Sequence, residues 1–319
     1  METRKLGRSD LEFLPLAFGG NVFGWTIDQA TSFELLDAFV ENGFTFIDTA
    51  DVYSNWKPGN SGGESEIIIG NWHKQRGKRD KVIIATKVGS SMVRGGAKDL
   101  SKNYILKAVE DSLKRLQTDY IDLYQSHYDD LTTPVEEPLE AYAQLIKEGK
   151  VRFIGASNFS AERLWEALTA SQRDGLPRYE SLQPLYNLYD RADFETDLQA
   201  LAVKEEVGVI PYYSLASGFL SGKYRSEADL GQSARGAGIQ KYLDEKGFTL
   251  LKALDEVAEE YKTTPTQVSI AWLLAQKGIT APIASATKIN QLNELMEAVK
   301  IKLDEKSIAR LTGAIKKEA

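Results

Sequence analysis

The 319-residue sequence predicts an α/β fold, a (β/α)8 TIM barrel with parallel strands, an N-terminal hairpin and an extra C-terminal helix. Eight short runs rich in apolar and β-branched residues alternate with longer amphipathic segments, which is typical of βαβ units in a parallel sheet. The runs are apolar on both faces, as strands buried on both sides require. The first run lacks the GxGxxG spacing of an open dinucleotide-binding sheet. We therefore expect one barrel domain over residues 1–319.

The predicted helices and strands follow one another in regular order. The helical segments have apolar residues at helical spacing, and the segment after the third strand begins at the N-cap candidate Ser101. Long insertions follow the second and seventh strands, at 51–65 and 218–247, and such loops at strand ends are where barrel enzymes place their sites. The predicted strands are LPLAFG (14–19), FTFIDTA (44–50), VIIATKV (82–88), IDLYQSH (121–127), VRFIGASN (151–158), SLQPLYN (181–187), VGVIPYYS (207–214) and TAPIASA (280–286).

Composition and charge restrict the classes of protein to consider. The chain has 39 Lys and Arg against 46 Asp and Glu, and its formal net charge of −7 argues against a general nucleic-acid or anionic-membrane surface. No apolar run approaches the roughly 20 residues of a membrane span, and the first ten residues lack the apolar core of a secretory signal. We expect a cytoplasmic protein. With no cysteine and two histidines that lack ligand spacing, disulfides and thiolate chemistry are excluded and no metal site is expected.

Polar residues stand at the C-terminal ends of three successive predicted strands. Asp48, Lys87 and His127 end strands two, three and four, and Tyr53 follows Asp48 closely. Because neighbouring strands lie about 4.8 Å apart, these side chains should converge at one mouth of the barrel. Each residue alone has a common structural explanation, such as helix capping for Asp48 or packing for Tyr53. Together they favour a catalytic set.

The expected chemistry of this set is protonation of a carbonyl oxygen. A buried ammonium needs a partner, and Asp48 is the natural one for Lys87. The cation of Lys87 should lower the pKa of the Tyr53 phenol from about 10 toward neutrality, making it a general acid. His127 could orient the carbonyl oxygen. No side chain supplies a hydride, so a nicotinamide cofactor is implied.

Later strand ends carry groups suited to such a cofactor. Ser157, Asn158 and Gln183 can form hydrogen bonds with a carboxamide. The seventh strand provides an aromatic ring followed by a turn rich in glycine and serine, with Lys223, that could bind pyrophosphate through backbone N–H groups. The eighth strand leads into a helix whose N-terminus, beside Lys288, favours a phosphate.

These motifs in combination resemble the aldo-keto reductase superfamily from about residue 4 to the end of the chain. The matching segments are GFTFIDTADVY, GGESEIIIG, IATKVG, LKRLQTDYIDLYQSH, LIKEGKVRFIGASNF and YYSLASGFLSGKYR. The chain is most similar to the short-loop bacterial type, near the potassium-channel β-subunit group. The resemblance implies reversible, NADP(H)-dependent reduction of an aldehyde or ketone. It makes Tyr53 the proton donor, Lys87 and Asp48 its tuning pair, and His127 the substrate orienter.

The resemblance also implies a set of cofactor-binding residues. Tyr212 would stack on the nicotinamide ring, and the residues from Ser285 onward would surround the adenine and 2′-phosphate. Lys288 stands where the family often has Arg, which keeps the charge but loses the bidentate fork, and Leu295 replaces an Asn. Because the positive charge is kept, NADP(H) is expected. Because the fork is lost, NAD(H) is the second candidate. The implied set is Gly20, Asn21, Asp48, Ser157, Asn158, Gln183, Tyr212, Tyr213, Ser214, Leu215, Ser217, Gly218, Lys223, Arg235, Ser285, Thr287, Lys288, Gln291 and Glu294.

The substrate is a small-molecule carbonyl compound that the sequence does not specify further, because its pocket is built from loops. Trp25, Trp56 and Tyr128 are candidates for the substrate wall, with surface packing of the long loop as the other interpretation. A nicotinamide-nucleotide-binding redox sensor or regulatory subunit with slow turnover would keep the same residues. A Schiff-base lyase using Lys87 is a third class, which the presence of Asp48 and Tyr53 disfavours.

Overall fold

The computed structural model describes residues 1–92, 95–233 and 236–315. The chain begins with the predicted hairpin, in which β1 (Arg4–Lys5) pairs with β2 (Glu12–Phe13) antiparallel. Eight further strands form one parallel sheet, and each overlaps its predicted run. They are β3 (Ala17–Gly19), β4 (Phe46–Asp48), β5 (Ile83–Val88), β6 (Ile121–Ser126), β7 (Val151–Ser157), β8 (Tyr179–Gln183), β9 (Gly208–Val209) and β10 (Ile283–Ala284).

The sheet order is β10, β3, β4, β5, β6, β7, β8, β9, so the first and last strands in this order are its two ends. These ends are joined by backbone hydrogen bonds. The N–H of Thr280 donates to the carbonyl of Val209 at 2.7 Å, and that of Ile283 donates to Pro211 at 2.9 Å. The sheet therefore curls onto itself, and the predicted (β/α)8 barrel is confirmed.

The sixth predicted strand differs in its bounds from β8. The prediction covers 181–187, whereas β8 spans Tyr179–Gln183. The strand ends before Pro184, which has no N–H to donate to a neighbouring strand. The run of apolar residues continues beyond Pro184 and obscures this end in the sequence.

Helices surround the sheet and cover its outer face with apolar side chains. The N-cap candidate Ser101 accepts the N–H of Tyr104 at 3.4 Å, and the extra C-terminal helix is present as α10. No helix among the described residues is long and apolar enough to cross a membrane. The helices are α1 (Gln29–Glu41), α2 (Glu64–Arg76), α3 (Lys102–Leu116), α4 (Glu136–Lys147), α5 (Ala161–Asp174), α6 (Gln199–Lys204), α7 (Glu245–Glu260), α8 (Pro265–Ala275), α9 (Ile289–Ala298) and α10 (Glu305–Gly313).

The barrel interior has an apolar end and a polar end. Phe46 is buried inside the barrel, and the hairpin residue Phe13 packs on it with ring centroids 4.5 Å apart. Because side chains alternate along a strand, Asp48 lies on the same side as Phe46, two residues further on. Lys87 follows the buried Ala85 in the same way. Apolar packing thus closes the N-terminal end, and the polar residues gather at the C-terminal end.

Candidate active site

The ammonium group of Lys87 is the centre of the predicted catalytic set. Its Nζ donates to Asp48 Oδ2 at 2.7 Å, to the Thr49 carbonyl at 2.8 Å and to the Tyr53 hydroxyl at 2.9 Å. Lys87 and Asp48 are buried, and the ring of His127 lies 6.0 Å from that of Tyr53. The structure brings all four residues together. All three hydrogens of the ammonium are used, so its position is fixed.

The expected direction of the Tyr53 pKa is wrong. Burial is the largest cause and the charge of Asp48 the second, and together they raise the pKa of Tyr53 well above its ordinary value. Burial also lowers the pKa of Lys87, although Asp48 opposes that change. Tyr53 therefore keeps its proton at neutral pH. Since Lys87 donates to the phenol oxygen, the hydrogen of Tyr53 itself remains available as a donor.

His127 is a neutral imidazole in this site. Burial, and next the positive charge of Lys87, lower the pKa of His127 well below its ordinary value. Its Nδ1 is buried and has no hydrogen-bond partner among the described residues. A neutral imidazole carries one N–H, and an N–H on an enclosed atom without an acceptor is costly. The proton is therefore expected on Nε2, from which it can be donated.

Two glutamine amides hold the second oxygen of Asp48. Gln183 Nε2 donates to Asp48 Oδ1 at 2.9 Å, and Gln125 Nε2 approaches the same oxygen at 3.3 Å. Gln125 was missed in the sequence, although it precedes His127 by two residues within the same predicted strand. Strand alternation was the signal that could have found it. The amides orient Asp48 so that its other oxygen faces Lys87.

The predicted carboxamide-binding groups bond to one another in the structure. Ser157 Oγ donates to the Gln183 carbonyl at 2.9 Å, and Asn158 Nδ2 donates to the His127 carbonyl at 2.9 Å. The hydroxyl of Tyr212 donates to Asn158 Oδ1 at 2.8 Å. We name these four residues, Ser157, Asn158, Gln183 and Tyr212, the amide network. It connects the strand end that carries His127 with the ring predicted to stack on nicotinamide.

A cavity of about 1190 Å³ opens above these residues. Pockets for one ligand usually measure about 300–1,000 Å³, so this cavity has room for a dinucleotide together with a small substrate. No group of three His, Asp or Glu side chains that could hold a metal occurs within 1–92, 95–233 and 236–315. The predicted residues along the cavity are Asn21, Trp25, Asp48, Tyr53, Trp56, His127, Tyr128, Ser157, Asn158, Gln183, Tyr212, Tyr213, Ser214, Leu215, Ser217, Gly218, Lys223, Ser285, Thr287, Gln291 and Glu294.

The remaining predicted cofactor residues lie elsewhere. Gly20 is behind the lining, where its carbonyl accepts a hydrogen bond from Ser65 Oγ at 2.8 Å. Lys288 is exposed and is the N-cap residue of α9, next to the lining residue Thr287. Arg235 lies outside the described residues. The backbone of Gly20 and the flexible side chain of Lys288 are therefore beside the cavity and not in its wall.

The predicted pyrophosphate turn has an unusual backbone. Ser217 and Gly218 have φ values of 58° and 102°, both in the left-handed region. Successive backbone N–H groups in a turn can form a concavity that suits an anion. The Gly218 N–H closes the turn on Leu215 at 2.8 Å, so it is already used. Lys223 lies over Gly218, since a Cβ on that glycine would meet Lys223 Nζ at 3.5 Å.

The three aromatic candidates for the substrate wall line the cavity beside the predicted catalytic set. Trp25 and Trp56 pack edge to face with centroids 5.5 Å apart, and Trp56 contacts Tyr53 at 5.8 Å. Tyr128 stacks on His127 at 4.9 Å. The wall is therefore continuous with the predicted catalytic set and leads from it to solvent.

Several lining residues were missed in the sequence. Ser90 and Ser91 come one residue after the end of β5, and their place beyond a strand end was a usable signal. Thr266 at the start of α8 had none, because its contact with the cavity depends on helix packing. The missed lining residues are Gly19, Thr26, Val52, Asn55, Ser90, Ser91, Gly95, Ser221, Ser233, Gly238, Thr266, Ile283, Ala284 and Leu295.

A second buried carboxyl group lies behind the site. Asp51 is 2% exposed, and its Oδ1 has no hydrogen-bond partner among the described residues. The nearby Arg115 is engaged by Glu66, with Nε to Oε2 at 2.7 Å, and Lys87 is engaged by Asp48. Burial, and next the charge of Glu66, raise the pKa of Asp51 well above its ordinary value. Asp51 is therefore a carboxyl without a cation of its own.

This arrangement predicts how Asp51→Asn changes stability with pH. Because the folded protein holds the Asp51 proton more tightly than the unfolded chain, Asp51 destabilises the fold increasingly as pH rises above about 4. The neutral amide removes that effect. We expect the Tm of the variant to exceed that of the wild type by at least about 2 °C at pH 8, and the gain to shrink toward pH 4. Thermal unfolding across this range measures it.

Asp130→Asn is a control of opposite sign. Although burial opposes the change, hydrogen bonds from Thr132 and Thr133 lower the pKa of Asp130 to about 2. This group stabilises the fold above about pH 4 and loses that effect as pH falls toward 2, so its removal should lower Tm at neutral pH. A Tm difference for Asp51→Asn that is flat with pH would show that Asp51 is ionised in the folded protein.

The chain is similar to known proteins over nearly its whole length. The chain matches the Aldo/keto reductase family model over residues 15–316. It is 35% identical to "Uncharacterized oxidoreductase YrpG" of Bacillus subtilis, covering 99% of this chain and 96% of the relative.

Two further relatives carry more specific names. The chain is 32% identical to norsolorinic acid reductase of Aspergillus flavus, over 94% of this chain and 77% of the relative. It is 31% identical to a probable voltage-gated potassium channel subunit beta of Arabidopsis thaliana, over 94% and 92%. The family model and the near full-length relatives lead to one conclusion: the chain belongs to the aldo/keto reductase family.

Proposed function

We propose that the protein is an NADP(H)-dependent oxidoreductase that reduces aldehyde or ketone carbonyls to alcohols, reversibly, with Tyr53 as proton donor. We also propose that residues 1–319 form one domain. One observation carries it: the Lys87 ammonium donates to the Tyr53 hydroxyl at the floor of a cavity large enough for two ligands. Family membership supports the broader part of this proposal, namely that the protein is an oxidoreductase that uses a nicotinamide nucleotide. Cytoplasmic location stays a prediction.

The residues along the cavity fit a nicotinamide dinucleotide. Tyr212 and the rest of the amide network would hold the nicotinamide end, and the turn at Ser217 and Gly218 with Lys223 would hold the pyrophosphate. Thr287, Gln291 and Glu294 would border the adenosine. When bound, the cofactor supplies or accepts a hydride at the substrate carbon.

The chain's own groups perform the proton chemistry. Tyr53 holds its proton at neutral pH and, because Lys87 donates to its oxygen, presents that proton to the substrate oxygen. His127, neutral, donates a second hydrogen bond to the same oxygen and orients it. As Tyr53 loses its proton, the ammonium 2.9 Å away stabilises the phenolate. The aromatic wall of Trp25, Trp56 and Tyr128 excludes water from this step.

NADP(H) is proposed over NAD(H) because of the charge at one end of the cavity. Lys288 begins α9, and a cation at a helix N-terminus favours a phosphate on the ribose. The ammonium of Lys288 is exposed and forms no ion pair among the described residues. It can therefore reach a phosphate on the ribose without breaking a contact. A preference for NADPH over NADH in binding is the expected result.

A second candidate function is a nicotinamide-nucleotide-binding sensor or regulatory subunit with slow turnover. The observation that favours it is the similarity to a potassium channel subunit beta. Both functions require the cofactor cavity. They differ in whether chemistry on a free carbonyl compound is fast.

One assay separates these functions. NADPH and NADH oxidation is followed at 340 nm against aldehydes, ketones, sugars and quinones, and binding of both cofactors is measured by titration. We expect NADPH-dependent turnover of at least one class of carbonyl compound. Tight NADPH binding without turnover would favour the sensor. Binding of neither cofactor would reject the proposed function.

A further inference from the structure

Tyr213 has a backbone conformation that a tyrosine rarely adopts. Its φ is 55°, in the left-handed region, where a bulky side chain is strained. Its carbonyl accepts the N–H of Ala216 at 2.7 Å and Asn187 Nδ2 at 3.1 Å, and these bonds hold the residue in place. The surrounding structure therefore imposes the conformation. Backbone strain of this kind beside a cavity is typical of residues with a functional role.

The strain is not compensated by burial of the ring. Tyr213 is 51% exposed, although it lines the cavity, and its ring lies 5.3 Å from that of Tyr212. Tyr53, Tyr128 and Tyr213 all line the cavity, so the three phenols share one opening. The half-exposed ring of Tyr213 therefore stands at the mouth of the cavity. The backbone of Tyr213 belongs to the turn that the resemblance assigned to the cofactor, and its side chain is the part whose role is open.

We propose that Tyr213 is a substrate-specificity residue, whose ring packs against a flat apolar part of a carbonyl substrate that extends beyond the aromatic wall. The proposal rests on the proposed function for its chemistry. Trp56 contacts the ring of Tyr53, and Trp25 packs on Trp56, so a compact aldehyde held at Tyr53 would meet these two rings first. A substrate with two linked rings reaches the mouth. An exposed aromatic face next to it adds contact area at low cost in conformational freedom.

The variant Tyr213→Gly separates strain from binding. Glycine adopts a positive φ without penalty, so the variant should have a higher Tm than the wild type. The ratio of kcat/KM for biphenyl-4-carbaldehyde to that for propanal should fall at least about fivefold, mainly through KM. Tyr213→Phe keeps the ring and should keep the ratio. We therefore expect Tyr213→Gly to have a higher Tm and a lower ratio of kcat/KM values than the wild type.

Lys262→Gly is the matched control. Lys262 also has a left-handed φ, of 52°, but it is exposed at the end of α7 and does not line the cavity. Its replacement should raise Tm and leave the ratio unchanged. An unchanged ratio in Tyr213→Gly would overturn the proposal, as would a ratio lost equally in Tyr213→Phe.

The same measurements distinguish failure of the proposed function from failure of the proposed role of Tyr213. If the wild type turns over neither aldehyde, binding of biphenyl-4-carbaldehyde to NADPH-saturated protein, measured by tryptophan fluorescence, decides the role of Tyr213. The proposed function is wrong only if the whole panel of carbonyl compounds also gives no turnover. Weaker binding to Tyr213→Gly than to Tyr213→Phe supports that role. Equal binding to both variants rejects it.

Discussion

Replacing Tyr53 with phenylalanine is expected to lower kcat by about 10²–10⁴-fold and to leave the Kd for NADPH within about twofold of the wild type. The variant keeps the ring that contacts Trp56 but removes the hydroxyl 2.9 Å from Lys87 Nζ. Without that hydroxyl, the nearby donors are His127 and the ammonium of Lys87, which Asp48 and Thr49 already engage. Steady-state kinetics and a cofactor titration on the same preparation measure both quantities.

A buried tyrosine outside the cavity provides the control. Tyr179 forms a hydrogen bond with Ser126 Oγ at 2.9 Å and does not line the cavity. Tyr179→Phe should change stability slightly and kcat by less than about twofold. If Tyr53→Phe kept more than a tenth of the wild-type kcat on every substrate, Tyr53 would not be the proton donor.

Lys87→Met is expected to have the largest effect on stability. It leaves Asp48, which is 1% exposed, without its cation, and removing one partner of a buried pair costs about 3–5 kcal/mol. Urea unfolding at pH 7.5 measures the free energy of unfolding. Activity should be lost as well, because Tyr53 loses the ammonium that donates to its hydroxyl.

Two comparisons make this result specific. The double variant Lys87→Met with Asp48→Asn removes both charges and keeps an oxygen for the amides of Gln183 and Gln125. It should recover most of the stability but none of the activity. Lys102→Met breaks an exposed pair with Glu140, at 3.2 Å, and should cost less than about 1 kcal/mol. A cost below about 1 kcal/mol for Lys87→Met alone would contradict this account of the buried pair.

The strands and the meeting of Asp48, Tyr53, Lys87 and His127 were predictable because both follow from local periodicity. Apolar runs of regular spacing specify parallel strands, and neighbouring strands of a barrel bring their C-terminal ends together. The end of β8 at Pro184 was readable only in part, since apolar residues continue past it.

Properties that depend on enclosure were not predictable from the residues. The charge of Lys87 suggested a lowered pKa for Tyr53, but burial, which the sequence does not show, has the larger effect and the opposite sign. The strained backbone of Tyr213 and the contact of Thr266 with the cavity depend on distant segments. Such contacts arise from packing of the whole chain and leave no local pattern.

The amide network bears on how a ligand is selected at the end of the cavity that we propose for nicotinamide. Asn158 uses its amide nitrogen and its oxygen on groups of the protein. A ligand amide therefore enters by exchanging partners, because it must replace bonds that already exist. A group offering both a donor and an acceptor can make that exchange complete. A group offering only one leaves a polar atom of Asn158 unpaired, at a cost of about 1–3 kcal/mol. The network therefore disfavours ligands that cannot replace both of these hydrogen bonds.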